Sequence, residues 1–276
     1  MADSRSLDRL LDAARAAAVA GGEVVRRAGA DGADGAGAEA TQATIKNGPG
    51  DYVTEVDRHS ERVVVEALVA AAPGIPVVGE EEGGHGGDRY WVVDPLDGTT
   101  NFLHRFPLVG VSVALVEQGR PVVGVVHAPF LEETYSAARG EGATVVEHRR
   151  SRAARPLRVS LRDPSQAVVA TGFPFRHKDL VPRYGRMLLR SLERFEDLRR
   201  PGAASLDLAW VAAGVFDGFF ELRLSAWDVA AGGLLIEEAG GVVTDWEGGP
   251  DYLSGDILAG PSQVQEVLLD LARKTE

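Results

Sequence analysis

At 276 residues, with 45% apolar and 25% charged positions, the chain has the make-up of an ordinary globular protein with ample core for one large domain. Its 41 acids against 29 bases give a formal charge of −12, which argues against a nonspecific nucleic-acid binder. Phosphate substrates are not excluded, because bound cations reverse the local sign of an acidic pocket. Cysteine is absent, which rules out disulfides, thiolate metal sites and cysteine nucleophiles. The opening Met1-Ala-Asp-Ser-Arg has no basic start followed by an apolar run, and no apolar stretch is bilayer-length. The expectation is a cytoplasmic protein with neither a nucleic-acid nor a membrane partner.

Apolar residues recur at helical spacing from Leu7 to about Arg27. The Gly, Ala and Asp of Gly29 to Ala40 bury too little to pack and read as a flexible loop, continuing to about residue 45. Asp57 to Ala72 reads as a helix stopped by Pro73-Gly74. Ile75 to Gly79 and Tyr90 to Val93 read as buried strands, and Val109 to Val116 with Pro121 to Ala128 as a hairpin. Short strands continue through Val159, with another around Val168. Helices follow over Arg183 to Leu198 and Ala203 to Ala213, then a strand over Phe219 to Leu224. A helix over Val229 to Ala239 leads to a strand at Val242 to Thr244, and the last helix starts at Ser262, with Gln265 at capping-box spacing. Helices and strands mix in blocks, which favours layered α+β architecture over a single Rossmann sheet.

The most informative stretch is Trp91-Val-Val-Asp94-Pro-Leu-Asp97-Gly98-Thr99-Thr100-Asn101-Phe102, a strand running into two carboxylates, a glycine and two hydroxyls. Hard cations such as Mg²⁺ take oxygen ligands, which carboxylates at a strand end supply. Gly98 lets the backbone approach an anion, and Thr99 can open a helix whose free N–H groups favour phosphate. Alone, Asp97-Gly98 is also ordinary turn chemistry. A calcium loop of the EF-hand type fails, because the twelfth position from Asp94 is Arg105 and not glutamate. Phosphatases resembling haloacid dehalogenase place one residue between their two acids, whereas Pro95 and Leu96 intervene here. Further acids stand at element ends: Asp57, Glu80, Asp228, and Glu221 on a strand. Taken singly, Asp57 and Asp228 read as helix caps, Glu80 as a solvated loop acid and Glu221 as a surface charge.

As a set, these segments resemble the inositol monophosphatase family over nearly the whole chain. The likeness is carried by Asp51-Tyr-Val-Thr-Glu-Val-Asp57, Gly79-Glu80-Glu81, Trp91 to Phe102, and Trp227-Asp228-Val-Ala-Ala-Gly continuing to Glu238-Ala-Gly-Gly241. Thr171-Gly-Phe-Pro-Phe175 and Arg200-Pro-Gly-Ala-Ala204 look like the bacterial members. The resemblance decides against the haloacid dehalogenase alternative. It implies a layered αβαβα sandwich, the sugar-phosphatase fold, as a single domain over 1–276, usually a homodimer. It implies a lithium-sensitive, Mg²⁺-dependent phosphomonoesterase acting on inositol 1-phosphate or a similar polyol phosphate. Fructose 1,6-bisphosphate, histidinol phosphate and adenosine 3′,5′-bisphosphate are the alternative substrates, and a phosphate- or partner-binding regulatory protein is the alternative of another class.

Carried over by position, one Mg²⁺ would be held by Glu80, Asp94 and the Leu96 carbonyl, and a second by Asp94, Asp97 and Asp228. A third, weaker cation would lean on Glu80. Thr99, linked to Asp57, would orient a metal-activated water for in-line attack, making Asp57, Thr99 and Glu80 the catalytic set. Substrate would meet Gly98, Thr99, Gly202, Ala204, Glu221 and Asp228. Lys46 would lie on a mobile loop near the metals, while His104 has no catalytic duty in the family.

Overall fold

The chain folds into alternating layers of helix and sheet. The structure, a computed structural model, describes residues 4–33, 43–45, 52–151 and 153–275. Helices α1 (Ser4–Ala33) and α2 (Glu55–Ala71) make the first layer, with the short antiparallel strands β1 (Thr44–Ile45) and β2 (Tyr52–Val53) between them in the chain. The second layer is a seven-stranded sheet in chain order: β3 (Val77–Gly79), β4 (Arg89–Asp97), β5 (Gly110–Glu117), β6 (Arg120–Ala128), β7 (Glu133–Ala138), β8 (Gly142–Glu147) and β9 (Arg155–Pro156). Only the β3–β4 pair is parallel. The short helix α3 (Thr99–Leu103) leaves the end of β4.

The second half supplies β10 (Val168–Thr171), α4 (Val181–Arg194), β11 (Asp197–Arg199), α5 (Ala204–Ala212), β12 (Gly218–Glu221), α6 (Ala226–Glu238), β13 (Val242–Thr244), β14 (Ile257–Gly260) and α7 (Ser262–Arg273). Its sheet runs β11-β10-β12-β14-β13, with α5 and α6 filling the space between the two sheets and α4 and α7 packed outside. The order of layers is therefore αβαβα, as the family resemblance implies.

Each layer shows its place in its side-chain pattern. The first-layer helices bury one stripe, Leu11, Ala14, Ala18, Val64 and Leu68, against Trp91, Val93 and Leu115. Helices α5 and α6 face a sheet on either side, so they bury apolar residues on more than one face, including Leu206, Leu208, Val211, Leu234 and Ile236. Each such side chain contributes roughly 1.5–3 kcal/mol when fully buried. Gly232 sets their approach, since a Cβ there would lie 2.4 Å from the Leu208 Cβ. Among the described residues no helix is long and apolar enough to cross a membrane.

Several boundaries differ from the sequence reading. Helix α1 continues to Ala33, so Gly29 to Ala33 are helical where a loop was expected. Residues 34–42 and Lys46 lie outside the described residues. Helix α4 stops at Arg194, where Phe195 turns extended and fills the outer core, and Leu198 belongs to strand β11. Strand β14, unforeseen, is a four-residue apolar run between Gly255 and Pro261. The expected Ser262–Gln265 capping box does not form: Pro261 occupies the cap, and the Gln265 amide instead donates to Thr244 Oγ1 at 2.8 Å. The β5–β6 hairpin closes as a two-residue turn with positive φ at Gln118 (49°) and Gly119 (75°).

One buried histidine gives a testable property of the fold. His127 on β6 is 6% exposed and shares Thr134 Oγ1 with His148, each at 2.9 Å. Burial, then the neighbouring His148, lowers its pKa to about 4. A base whose folded pKa lies below its unfolded value gives stability that is complete above about 6.5 and lost as pH falls towards 4. NMR titration of labelled histidine should show His127 titrating near 4; titration near 6.5 would mean that the ring is solvated.

Candidate functional site

The site forms where β4 ends and α2, α5 and α6 begin. In a regular strand, side chains alternate faces, so acids three apart point to opposite sides. Asp94 pairs with Ser112 but Asp97 with Gly110, a bulge that places one extra residue on β4 and returns both carboxylates to one side. Oxygens of Asp94, Asp97 and Asp228 all lie within 4.8 Å of one another. Glu80, just beyond β3, stands outside that group, yet its charge acts on Asp57, Asp94, Asp97 and Asp228. Its backbone N–H donates to the Val93 carbonyl at 3.2 Å, tying its loop to the strand that carries Asp94.

Neither Asp57 nor Asp228 is an N-cap. Each is the third helical residue of a capping box, with Thr54 capping α2 and Ser225 capping α6. One oxygen of each carboxylate is thereby spent on the helix start: Asp57 Oδ2 accepts from Thr54 N at 2.8 Å, and Asp228 Oδ2 from Ser225 N at 2.6 Å. Asp57 Oδ1 accepts from Thr99 Oγ1 at 3.0 Å, so α2 holds the hydroxyl that opens α3. The same hydroxyl lies 3.2 Å from the Leu96 carbonyl oxygen. Asp94 Oδ1 accepts from Leu96 N at 2.9 Å, and Asp97 Oδ2 from Ser205 N and Oγ at 2.7 and 2.6 Å at the start of α5.

Gly98 adopts φ +90°, a conformation that L side chains rarely adopt. A Cβ there would lie 3.3 Å from the Gly202 carbonyl oxygen and from the Ala203 Cβ, so the motif packs directly on the Gly202–Ala204 turn. Glu221, at the end of β12, is half-buried, and its carboxylate fills the place a side chain at Gly172 would need. His104 is exposed.

The electrostatics are those of crowded acids. Burial raises Asp94 well above the usual carboxylate range, reinforced by Glu80, Asp97 and Asp228. Burial pushes Asp97 up to about 6, although its bonds from Ser205 pull the other way. Asp228 rises to about 8 through burial and then the charges of Asp97 and Glu80. Glu221 also rises to about 8, through burial and Asp228, with Arg200 opposing. Oxygen-only donors, convergent and mutually repelling, fit a hard divalent cation, whose charge removes the repulsion.

Four contributors escaped the sequence reading. Ser205 anchors Asp97, and Thr54 anchors Asp57. Arg200 lies over the Phe173 and Phe175 rings at 5.8 and 5.5 Å from their centroids. Asp207 on α5 is 1% exposed, its Oδ1 has no hydrogen-bond partner among the described residues, and burial raises its pKa strongly. These contacts depend on packing between separate elements, which no local sequence pattern announces.

Residues 6–276 match the profile of the inositol monophosphatase family. The chain belongs to that family. Among its relatives are Nus factor SuhB of Escherichia coli (strain K12), 43% identical over 236 residues, covering 84% of this chain and 85% of that protein. The inositol-1-monophosphatase of Mesorhizobium japonicum is 44% identical over 237 residues, covering 84% of this chain and 86% of its own. Among solved structures, the extragenic suppressor protein suhB from Bartonella henselae superposes with a TM-score of 0.85 at 38% identity, covering 96% of this chain and 98% of that one.

Proposed function

We propose that the protein is a Mg²⁺-dependent phosphomonoesterase that hydrolyses inositol 1-phosphate or a similar polyol phosphate. The observation that carries this reading is the convergence of Asp94, Asp97 and Asp228 oxygens within 4.8 Å, beside a Thr99 hydroxyl already bonded to buried Asp57. Glu80, Asp94 and the Leu96 carbonyl would hold one cation, and Asp94, Asp97 and Asp228 a second, with a third leaning on Glu80. When bound, Mg²⁺ supplies Lewis acidity, lowering the pKa of water and neutralising phosphoryl oxygens.

The chain's own groups do the rest. Asp57 accepts from Thr99 Oγ1 and fixes that hydroxyl, which orients the attacking water and passes its proton towards the Asp57 carboxylate. Burial raises the pKa of Asp57, which suits it to receive that proton. The Gly98 and Thr99 N–H groups receive the phosphate. Glu221 and Asp228, with the backbone at Gly202 and Ala204, bind the hydroxyls of the polyol. A homodimer sensitive to lithium completes the family assignment.

Substrate choice is tested by phosphate release at saturating Mg²⁺ from inositol 1-phosphate, fructose 1,6-bisphosphate, histidinol phosphate and adenosine 3′,5′-bisphosphate. The highest kcat/KM is expected for inositol 1-phosphate. A preference for another of the four would keep the chemistry and replace the substrate.

The relatives named Nus factor SuhB favour a second role beside catalysis, as a partner-binding Nus factor. A catalytically inactive variant that still restores growth of a strain lacking the protein would support it. Loss of rescue together with loss of catalysis would assign the whole phenotype to the phosphatase.

A further inference from the structure

Helix α2 presents a second buried carboxylate one turn beyond Asp57. Glu61 is 1% exposed, and both its oxygens are engaged by consecutive backbone donors of the segment after β3. Oε2 accepts from Glu81 N at 2.8 Å, and Oε1 from Glu82 N at 2.7 Å. The same segment is closed on itself by Gly79 N donating to the Gly83 carbonyl at 2.9 Å. Gly79 is small for a stated reason: a Cβ there would lie 2.4–2.7 Å from the Glu61 carboxylate atoms. The peptide bearing Glu80 is thus clamped from two sides, by the Val93 carbonyl on β4 and by Glu61 on α2.

An ionised acceptor taking two backbone N–H bonds makes a strong, directional anchor. Burying a charge is costly unless it is hydrogen-bonded, and among the described residues Glu61 meets this condition through the Glu80 loop. A surface acid would satisfy the helix pattern at this position equally well, so the buried carboxylate marks a fixed attachment between α2 and the loop.

We propose that Glu61 is a positioning residue that sets Glu80 for cation binding, so that α2 aims both the Asp57–Thr99 pair and the Glu80 loop. This rests on the metal-site reading above. Glu61 touches neither substrate nor cation; it acts through the Glu81 and Glu82 peptides. Groups that orient metal ligands in this way change cation affinity by about 10–100-fold when removed.

The test is Mn²⁺ binding to metal-stripped protein, followed by the loss of the free-ion paramagnetic resonance signal, for wild type, Glu61→Gln, Glu80→Gln and the double variant. Glu61→Gln keeps the side-chain volume but turns an amide towards the two donors. Affinity of the Glu80-dependent class of sites is expected to fall about 10–100-fold, leaving the Asp94–Asp97–Asp228 class near its wild-type value. The double variant should bind no more weakly than Glu80→Gln alone. Gly79→Ala approaches the same contact from the loop, without a disallowed φ, and should reproduce the loss even if Glu61→Gln folds poorly. Unchanged affinity in both Glu61→Gln and Gly79→Ala, equal weakening of every class of site, or additive losses in the double variant would overturn the inference. No Mn²⁺ binding by wild type would instead overturn the metal-site reading on which it rests.

Discussion

Asp94→Asn is expected to lower kcat/KM by about 10³-fold while making the metal-free protein more stable. Asp94 is the acid common to both assigned cation positions, so its loss weakens both at once. About 10³-fold corresponds to roughly 4 kcal/mol of transition-state stabilisation. The fold should survive, because the asparagine carbonyl can still accept the Leu96 N–H that now bonds Asp94 Oδ1. Stability rises because Asp94 is buried among Glu80, Asp97 and Asp228, whose charges all raise its pKa. A gain of about 1 kcal/mol would move the thermal midpoint by roughly 2–4 °C in a chain of this size.

The pH dependence carries the same sign. Folded pKa values of about 6 for Asp97 and about 8 for Asp228 and Glu221 lie above those of the unfolded chain. Such groups bind protons more readily when folded, so their contribution is full on the acid side and is lost as pH rises through those values. Thermal melts of EDTA-treated protein should fall from about pH 4 to about pH 8, less steeply for Asp94→Asn, with His127 opposing below about 6.5. Added Mg²⁺ should restore the wild-type midpoint at high pH and leave the variant nearly unchanged. A metal-free variant no more stable than wild type would mean that these carboxylates do not repel as their geometry implies.

Thr99→Ala is expected to cost about 10²–10⁴-fold in kcat, with little change in cation affinity. Among the described residues the hydroxyl is the side-chain link between Asp57 and the motif, bonded to Asp57 Oδ1 at 3.0 Å. Asp57→Asn should reproduce most of the loss, and the double variant should lose little more than either alone, since groups acting as a unit are not additive. Steady-state kinetics with a Mg²⁺ activation curve for each variant checks this. A fall in Mg²⁺ affinity with kcat retained would place Thr99 among the groups holding cation, not among those moving a proton.

How the site could be read in the sequence follows from how each acid is placed. Asp94, Asp97 and Gly98 stand in one segment, and their chemistry is legible there. Their convergence is not, because it depends on a bulge between Asp94 and Asp97 that no side-chain pattern announces. Asp57 and Asp228 have the sequence look of caps because both belong to capping boxes, three residues after the capping Thr54 and Ser225. Glu61 and Asp207 were invisible because a helical acid is ordinarily solvated, and only the packing of α2 on the β3 loop and of α5 between two sheets buries them. In the fold, long amphipathic or wholly apolar segments such as α2, α6 and the β5–β6 hairpin stood out. Leu198 carries on the periodicity of α4, but pairing with β10 across the sheet makes it a strand residue. Strand β14 is four residues long and offers too short a pattern to separate from a loop.

The most direct measurement is phosphate release from inositol 1-phosphate by metal-stripped protein as Mg²⁺ is titrated back, with Asp94→Asn beside it. Activity absent without Mg²⁺, restored by its addition in wild type and not in the variant, is the expected result. Hydrolysis that persists in full without a divalent cation, or a variant as active as wild type, would contradict the assignment of these carboxylates to a catalytic metal site.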